Sequence, residues 1–169
     1  GHIAIGHTRY STTGSSMLAN AQPILSDGPM GPVAVAHNGN LVNARFLREE
    51  LESQGAEFTS TTDSECISQL LSRAPGKTWE QRLQYTVARL SGAFSVAILT
   101  PDHLIALRDP RGVRPLCVGT FNSGWVVASE SCALDHIGAQ FLREIEPGEA
   151  LLINTDGMRS FRVASAEKP

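Results

Sequence analysis

Apolar positions alternate from the start of the chain. Ile3 and Ile5, followed by His7 and Arg9, share one side of a predicted strand that runs into the polar stretch Ser11 to Ser16. A loop through about Met30 is expected next. Val33 to Ala36 reads as a short buried strand, with Asn38-Gly39 as the tight turn that ends it, because this dipeptide accepts positive φ. The period then changes to that of a helix. Asn43 is placed to cap a helix with Ala44, Leu47 and Leu51 on one face and Gly55 as its stop. Thr62 or Asp63 caps a second helix, where Glu65 suits the positive end and Ile67, Leu70, Leu71 and Ala74 form the apolar stripe. Thr78 opens a third through a capping-box pattern with Gln81, and the helix continues through Leu83, Val87 and Leu90 to Gly92.

From Phe94 onward the pattern becomes short strands and turns: Phe94 to Leu99, Leu104 to Leu107, Leu116 to Val118 and Trp125 to Ala128. A short helix around Ser131 to Ile137 precedes a hairpin of Ala150 to Ile153 and Met158 to Phe161, turned at Thr155-Asp156-Gly157. Helices that are grouped, among strands joined as hairpins, predict an α+β layered sandwich and argue against a parallel sheet.

Composition narrows the function classes. The 169 residues are 41% hydrophobic and 18% charged, with a net charge of −3, as in an ordinary soluble domain. No basic stripe appears, so no nucleic-acid partner is expected. No apolar run is long enough to span a bilayer, so no membrane partner is expected either. Cys66, Cys117 and Cys132 are odd in number and lack Cys-x-x-Cys spacing, which favours neither a disulfide framework nor a zinc site and fits a cytoplasmic protein. The five histidines are not spaced like metal ligands. The chain opens with Gly1 in the middle of a strand-like pattern, which reads as truncation or processing upstream.

Four features bear on chemistry. Arg9 can receive a carboxylate through a two-pronged guanidinium contact, or can equally be a strand arginine in a surface ion pair. Asn38-Gly39 can aim an amide side chain and a backbone N–H at one developing oxyanion, the alternative being a plain hairpin turn. Asp63 can hold a substrate ammonium or simply cap its helix. Of the cysteines, Cys66 and Cys117 read as core residues, whereas Cys132 lies near a helix N-terminus and is the one candidate nucleophile among them.

In this order, His7-Thr8-Arg9-Tyr10-Ser11-Thr12, His37-Asn38-Gly39 and Thr62-Asp63-Ser64-Glu65 resemble the motifs of the class II glutamine amidotransferases, a family of N-terminal-nucleophile hydrolases. The resemblance implies that Arg9 binds the carboxylate of the substrate glutamine, that Thr12 is also substrate-binding, that Asp63 holds the amino group, and that Asn38 and Gly39 form the oxyanion hole. It also implies a four-layer αββα sandwich, its N-terminal strands missing from this chain along with the cysteine nucleophile, which begins the mature protein in this family.

The segments Asp109 to Leu116, Ala128 to Ala133 and Arg143 to Glu149, together with His37 to Asn43, resemble the phosphoribosyl-transferring branch. Residues 1–163 would then be a partial glutaminase domain. Residues 164–169 would be a frayed end or the start of a linker to a phosphoribosyltransferase domain. For the intact parent this branch implies phosphoribosyl pyrophosphate as second substrate, magnesium and in some members a 4Fe-4S cluster, and a homo-oligomer, with no cofactor in this segment. Two other readings stay open: a non-catalytic glutamine-binding or interaction module of the same fold, and the glutaminase domain of another class II amidotransferase.

Overall fold

The computed structural model describes residues 2–8 and 17–167. Among these described residues nine strands and four α-helices follow in chain order: β1 (Ile24–Ser26), β2 (Val33–Leu41), α1 (Ala44–Ser53), α2 (Asp63–Arg73), α3 (Trp79–Arg89), β3 (Gly92–Leu99), β4 (Leu104–Arg108), β5 (Cys117–Phe121), β6 (Gly124–Ala128), α4 (Ser131–His136), β7 (Gln140–Glu144), β8 (Glu149–Asn154) and β9 (Gly157–Arg162). They form a six-stranded sheet in the order β1-β2-β3-β4-β8-β9 and a three-stranded sheet in the order β6-β5-β7, with every pairing antiparallel.

Three cores fill the spaces between four layers. The largest joins Val33, Val35, Phe94, Val96, Ile98, Ile105 and Leu107 to Leu47, Leu51, Ile67, Leu71 and Leu83, which places α1, α2 and α3 on one face of the larger sheet. The second joins Leu104, Ala106, Leu151 and Ile153 of that sheet to Leu116 and Val118 at the smaller one. The third packs Cys117 against Leu134 and Ala139 under α4. Period-two alternation is what permits this: in β4, Ile105 and Leu107 face the helices while Leu104 and Ala106 face the other sheet. The result is the expected αββα sandwich, in which strands buried on both faces carry continuous apolar runs.

Local signals explain two of the helix ends. Gly55, at φ +81°, terminates α1 in a Schellman motif, with Ala56 N–H bonded to Leu51 O and Gly55 N–H to Glu52 O, both at 2.9 Å. Thr78 Oγ1 accepts the Gln81 N–H at 3.4 Å, but Gln81 Oε1 reaches back to Lys77 N–H instead of the cap itself.

Six expectations need correction. Asn38-Gly39 is no turn: β2 runs through both residues, paired with Ser95 and Phe94 of β3. Asn43 precedes α1 without capping it, because its amide bonds to Arg89 O and Ser91 N–H at the end of α3. The loop before Met30 contains β1, and β7 lies where no strand was expected. Residues 2–8 join neither sheet, although Ile3 and Ile5 do pack against the inter-sheet core. Past β9, the segment read as a fraying end is held as far as Glu167, whose N–H donates to Pro110 O at 2.8 Å and whose carboxylate meets Arg111 at 3.1 Å.

A charged clamp ties the two sheets together. Glu149, at the start of β8, accepts both arms of Arg143 of β7 at 2.7 and 2.8 Å and the Glu146 N–H at 2.7 Å. Burial opposes ionisation of Glu149, but Arg143, Ser160 and the Glu146 N–H outweigh it and bring the carboxyl down to about 2. Because the folded value lies below the unfolded 4.5, the clamp stabilises fully above pH 4.5 and fades as pH falls towards 2. Arg143→Met is therefore expected to cost roughly 3 kcal/mol at neutral pH. Urea denaturation of the intact parent should show that difference shrinking below pH 4.5.

Candidate active site

The polar centre lies where β2 meets the N-terminus of α2. Side chains alternate along β2, so His37 points to the helices with Val33 and Val35, and Asn38 points to the opposite face. Gly39 has φ +156°, and a Cβ there would stand 2.0 Å from Ala93 O and 2.7 Å from His37 Nε2. Only glycine lets β3 come that close.

Asp63 is the first residue of α2 and is buried. It does not cap the helix. Its Oδ2 accepts the Leu41 N–H at 2.9 Å, and its Oδ1 lies 3.8 Å from His37 Nδ1. One carboxylate thus reaches β2 at Leu41 and lies beside His37, on either side of Asn38-Gly39, while the Asn38 side chain stands on the opposite face of the strand. Arg9 and Thr12 lie outside the described residues. His37 is buried, with Nδ1 3.3 Å from Ser64 Oγ and Nε2 3.4 Å from Ala93 O. Burial lowers the proton affinity of its imidazole, Asp63 opposes this only in part, and His37 is neutral at neutral pH.

Residues that sequence reasoning did not single out hold this arrangement. Glu65, read only as favourable to the helix dipole, is buried and reaches back over the helix start. Its Oε1 accepts the Thr59 N–H at 2.8 Å and the Thr59 hydroxyl at 3.1 Å, and its Oε2 accepts the Ser60 N–H at 2.7 Å and the Ser60 hydroxyl at 2.6 Å. Thr62-x-x-Glu65 has capping-box spacing, so a signal existed, but the bonds pass beyond the cap. Asn20 pins the same loop through Thr61 N–H at 2.9 Å and Thr61 Oγ1 at 3.0 Å. Gln22 bonds to the backbone of His37. Nothing local in the sequence marks Asn20 or Gln22.

None of the cysteines joins this centre. Cys66 bonds to Ala44 O at 3.4 Å, and burial pushes its thiol up to about 11. Cys117 faces the core under α4, where burial likewise raises its thiol. Cys132 is exposed on α4, across the smaller sheet, with Glu130 Oε2 3.9 Å from its sulfur. Among the described residues no cluster of three or more His, Cys, Asp or Glu could hold a metal ion, and no helix is long and apolar enough to cross a membrane.

Two antiparallel sheets packed face to face between helical layers are the fold of an N-terminal-nucleophile hydrolase domain. A model of the glutamine amidotransferase domain matches residues 7–136, and the chain belongs to that family, in its class II branch. Over its whole length it is 49% identical to an amidophosphoribosyltransferase from Synechococcus elongatus, covering 36% of that protein. An amidophosphoribosyltransferase from Archaeoglobus fulgidus is 44% identical over 99% of the chain and 37% of its own length. The solved glutamine phosphoribosylpyrophosphate amidotransferase from Bacillus subtilis superposes with a TM-score of 0.85 at 42% identity, covering 94% of this chain and 34% of that one. The chain spans about a third of the length of these relatives.

The Glu65 network makes a sharp prediction. Each carboxylate oxygen accepts a backbone N–H, so a glutamine in its place must turn its NH2 towards one of those donors whichever way it lies. Glu65→Gln is expected to cost about 1–3 kcal/mol and Glu65→Ala about 3 kcal/mol. Urea denaturation of the intact parent measures both, and two variants as stable as the parent would refute the assignment.

Proposed function

We propose that this chain is the glutamine-hydrolysing part of an amidophosphoribosyltransferase. The observation that carries the reading is the shared position of Asn38, Gly39 and Asp63: two donors on one strand beside a buried carboxylate held to that strand two residues further on. Whole-chain identity to amidophosphoribosyltransferases supports it.

On this reading a glutamine enters with its ammonium on Asp63 and its carboxylate on Arg9 and Thr12, contacts that supply position rather than chemistry. A thiolate from the cysteine that begins the mature parent attacks the side-chain carbonyl carbon. Its α-amine takes up the thiol proton and serves as the base. The carbonyl oxygen becomes an oxyanion bonded to Asn38 Nδ2–H and Gly39 N–H. Collapse of the intermediate expels ammonia and leaves a glutamyl thioester, which water hydrolyses to glutamate. The ammonia displaces pyrophosphate from phosphoribosyl pyrophosphate in the second domain and yields phosphoribosylamine, the first step of de novo purine synthesis. We place the intact parent in the cytoplasm as a homo-oligomer. The described residues contain no cluster fit for magnesium or a 4Fe-4S centre.

The test uses the full-length parent, with glutamine-dependent and ammonia-dependent synthesis measured side by side. Asn38→Ala is expected to lower glutamine-dependent kcat by about 100- to 1,000-fold, the usual effect of removing one oxyanion donor. Asp63→Ala is expected to raise the KM for glutamine, since it removes a contact made alike in ground and transition states. Both should keep the ammonia-dependent reaction. An Asn38→Ala enzyme with unaltered glutamine turnover would overturn the reading.

A further inference from the structure

Strand β2 has two hydrogen-bonding edges. Ala36, Asn38 and Asn40 stand opposite Ala97, Ser95 and Ala93, and the same phase continues at Val42, whose N–H donates to Ser91 O at 2.8 Å. Phe94, by contrast, directs its N–H and C=O to Asp109, away from β2. Backbone groups alternate sides along a strand, so the even-numbered residues of β2 bond to β3 and the odd-numbered ones face the other edge.

That other edge is paired for only part of its length. β1 covers Val33 to Val35 and goes no further. At the next odd position a side chain replaces a strand: Gln22 Oε1 accepts the His37 N–H at 2.7 Å, and Gln22 Nε2 donates to His37 O at 3.4 Å, where His7 Nε2 also lies at 3.1 Å. Two positions beyond Gly39, at Leu41, the N–H is taken by Asp63 Oδ2 at 2.9 Å. His37, Gly39 and Leu41 therefore present three N–H groups in a row. The outer two are held by side chains, and among the described residues no strand of either sheet stands opposite the one between them.

We infer that Gln22 is a positioning residue for the oxyanion hole. Its carboxamide closes both polar groups of His37, so that the strand enters Asn38 and Gly39 at a set height and the Gly39 N–H keeps its aim. It does this without touching the substrate. The inference rests on the proposed function, in which Gly39 N–H is an oxyanion donor. It differs from a purely structural role in what it predicts: a donor off its line by a fraction of an ångström weakens a bond made only in the transition state, so the loss falls on kcat.

The experiment is Gln22→Met in the full-length parent, which keeps the bulk and removes both hydrogen bonds. Glutamine-dependent kcat is expected to fall roughly 10- to 100-fold while the KM for glutamine stays within about twofold and ammonia-dependent synthesis is kept. Gln22→Glu, whose carboxylate still accepts the His37 N–H, should recover part of the loss. It also serves as the second variant should the methionine enzyme not fold, and must then show the same split between kcat and KM. Unchanged kcat, a loss confined to KM, or equal loss of both activities in soluble enzyme would each overturn the inference. If Asn38→Ala disables glutamine turnover and Gln22→Met does not, only the role of Gln22 falls. If Asn38→Ala also leaves turnover intact, the proposed function falls with it.

Discussion

The approach of β3 to Gly39 sets the geometry on which the rest of the site depends. With Ala93 O 2.0 Å from where a Cβ would stand, any side chain at that position would drive the two strands apart. The pair β2-β3 is the spine of the larger sheet, with eight residues of each in register, from Ala34 with Leu99 to Leu41 with Gly92. Spreading it at Gly39 would disturb Val35, Phe94, Val96 and Ile98, which anchor the helical layer. A glycine here is as much a packing requirement as a chemical one, because the close ladder that needs it also holds the Asn38 side chain and the Gly39 N–H on a rigid strand instead of a loop.

The second constraint is electrostatic. Asp63 and Glu65 are both buried within the first turn of α2, where the helix dipole favours negative charge by about 0.3–1 kcal/mol. That is too little to offset burial of two carboxylates, whose isolated cost runs to several kcal/mol each. Hydrogen bonds supply the remainder. Glu65 takes four from Thr59 and Ser60, which satisfies it completely and fixes the loop leading into the helix. Among the described residues Asp63 takes a single backbone N–H, that of Leu41, beside a neutral His37. The two acids, two positions apart, are thus divided between a carboxylate saturated by the loop before the helix and one that, among the described residues, accepts a single N–H from β2.

Helices and hairpins were legible because their signals are local: the apolar stripes of α1 to α3, Gly55 as a stop, the turn at Thr155 to Gly157. The layered α+β class followed from their order. Asn38-Gly39 misled because the turn preference of that pair is also local, whereas what decides its conformation is β3, more than fifty residues away in sequence. β1 has three residues, too few to show a period, and in β7 the adjacent Phe141 and Leu142 are both exposed, so no alternation could appear. The site was legible as residue types in order. Gln22, Asn20 and the true task of Glu65 were not, since each acts through backbone groups that only the fold brings within reach.

On the proposed reading, strand geometry also accounts for selectivity. Gly39 N–H and Leu41 N–H lie two residues apart on one edge, a separation of roughly 6.6 Å at the usual rise per residue. The first is left for an oxyanion, and the second carries Asp63. A ligand that engages the Gly39 N–H and the Asp63 carboxylate held at Leu41 must present a carbonyl oxygen at one end and an ammonium at the other, as an extended glutamine does with the carbons Cα to Cδ between them. Asparagine, one methylene shorter, reaches less far between the two groups. The choice of substrate then follows from the pitch of one strand and from two side chains, Gln22 and Asp63, that close the donors on either side of Gly39.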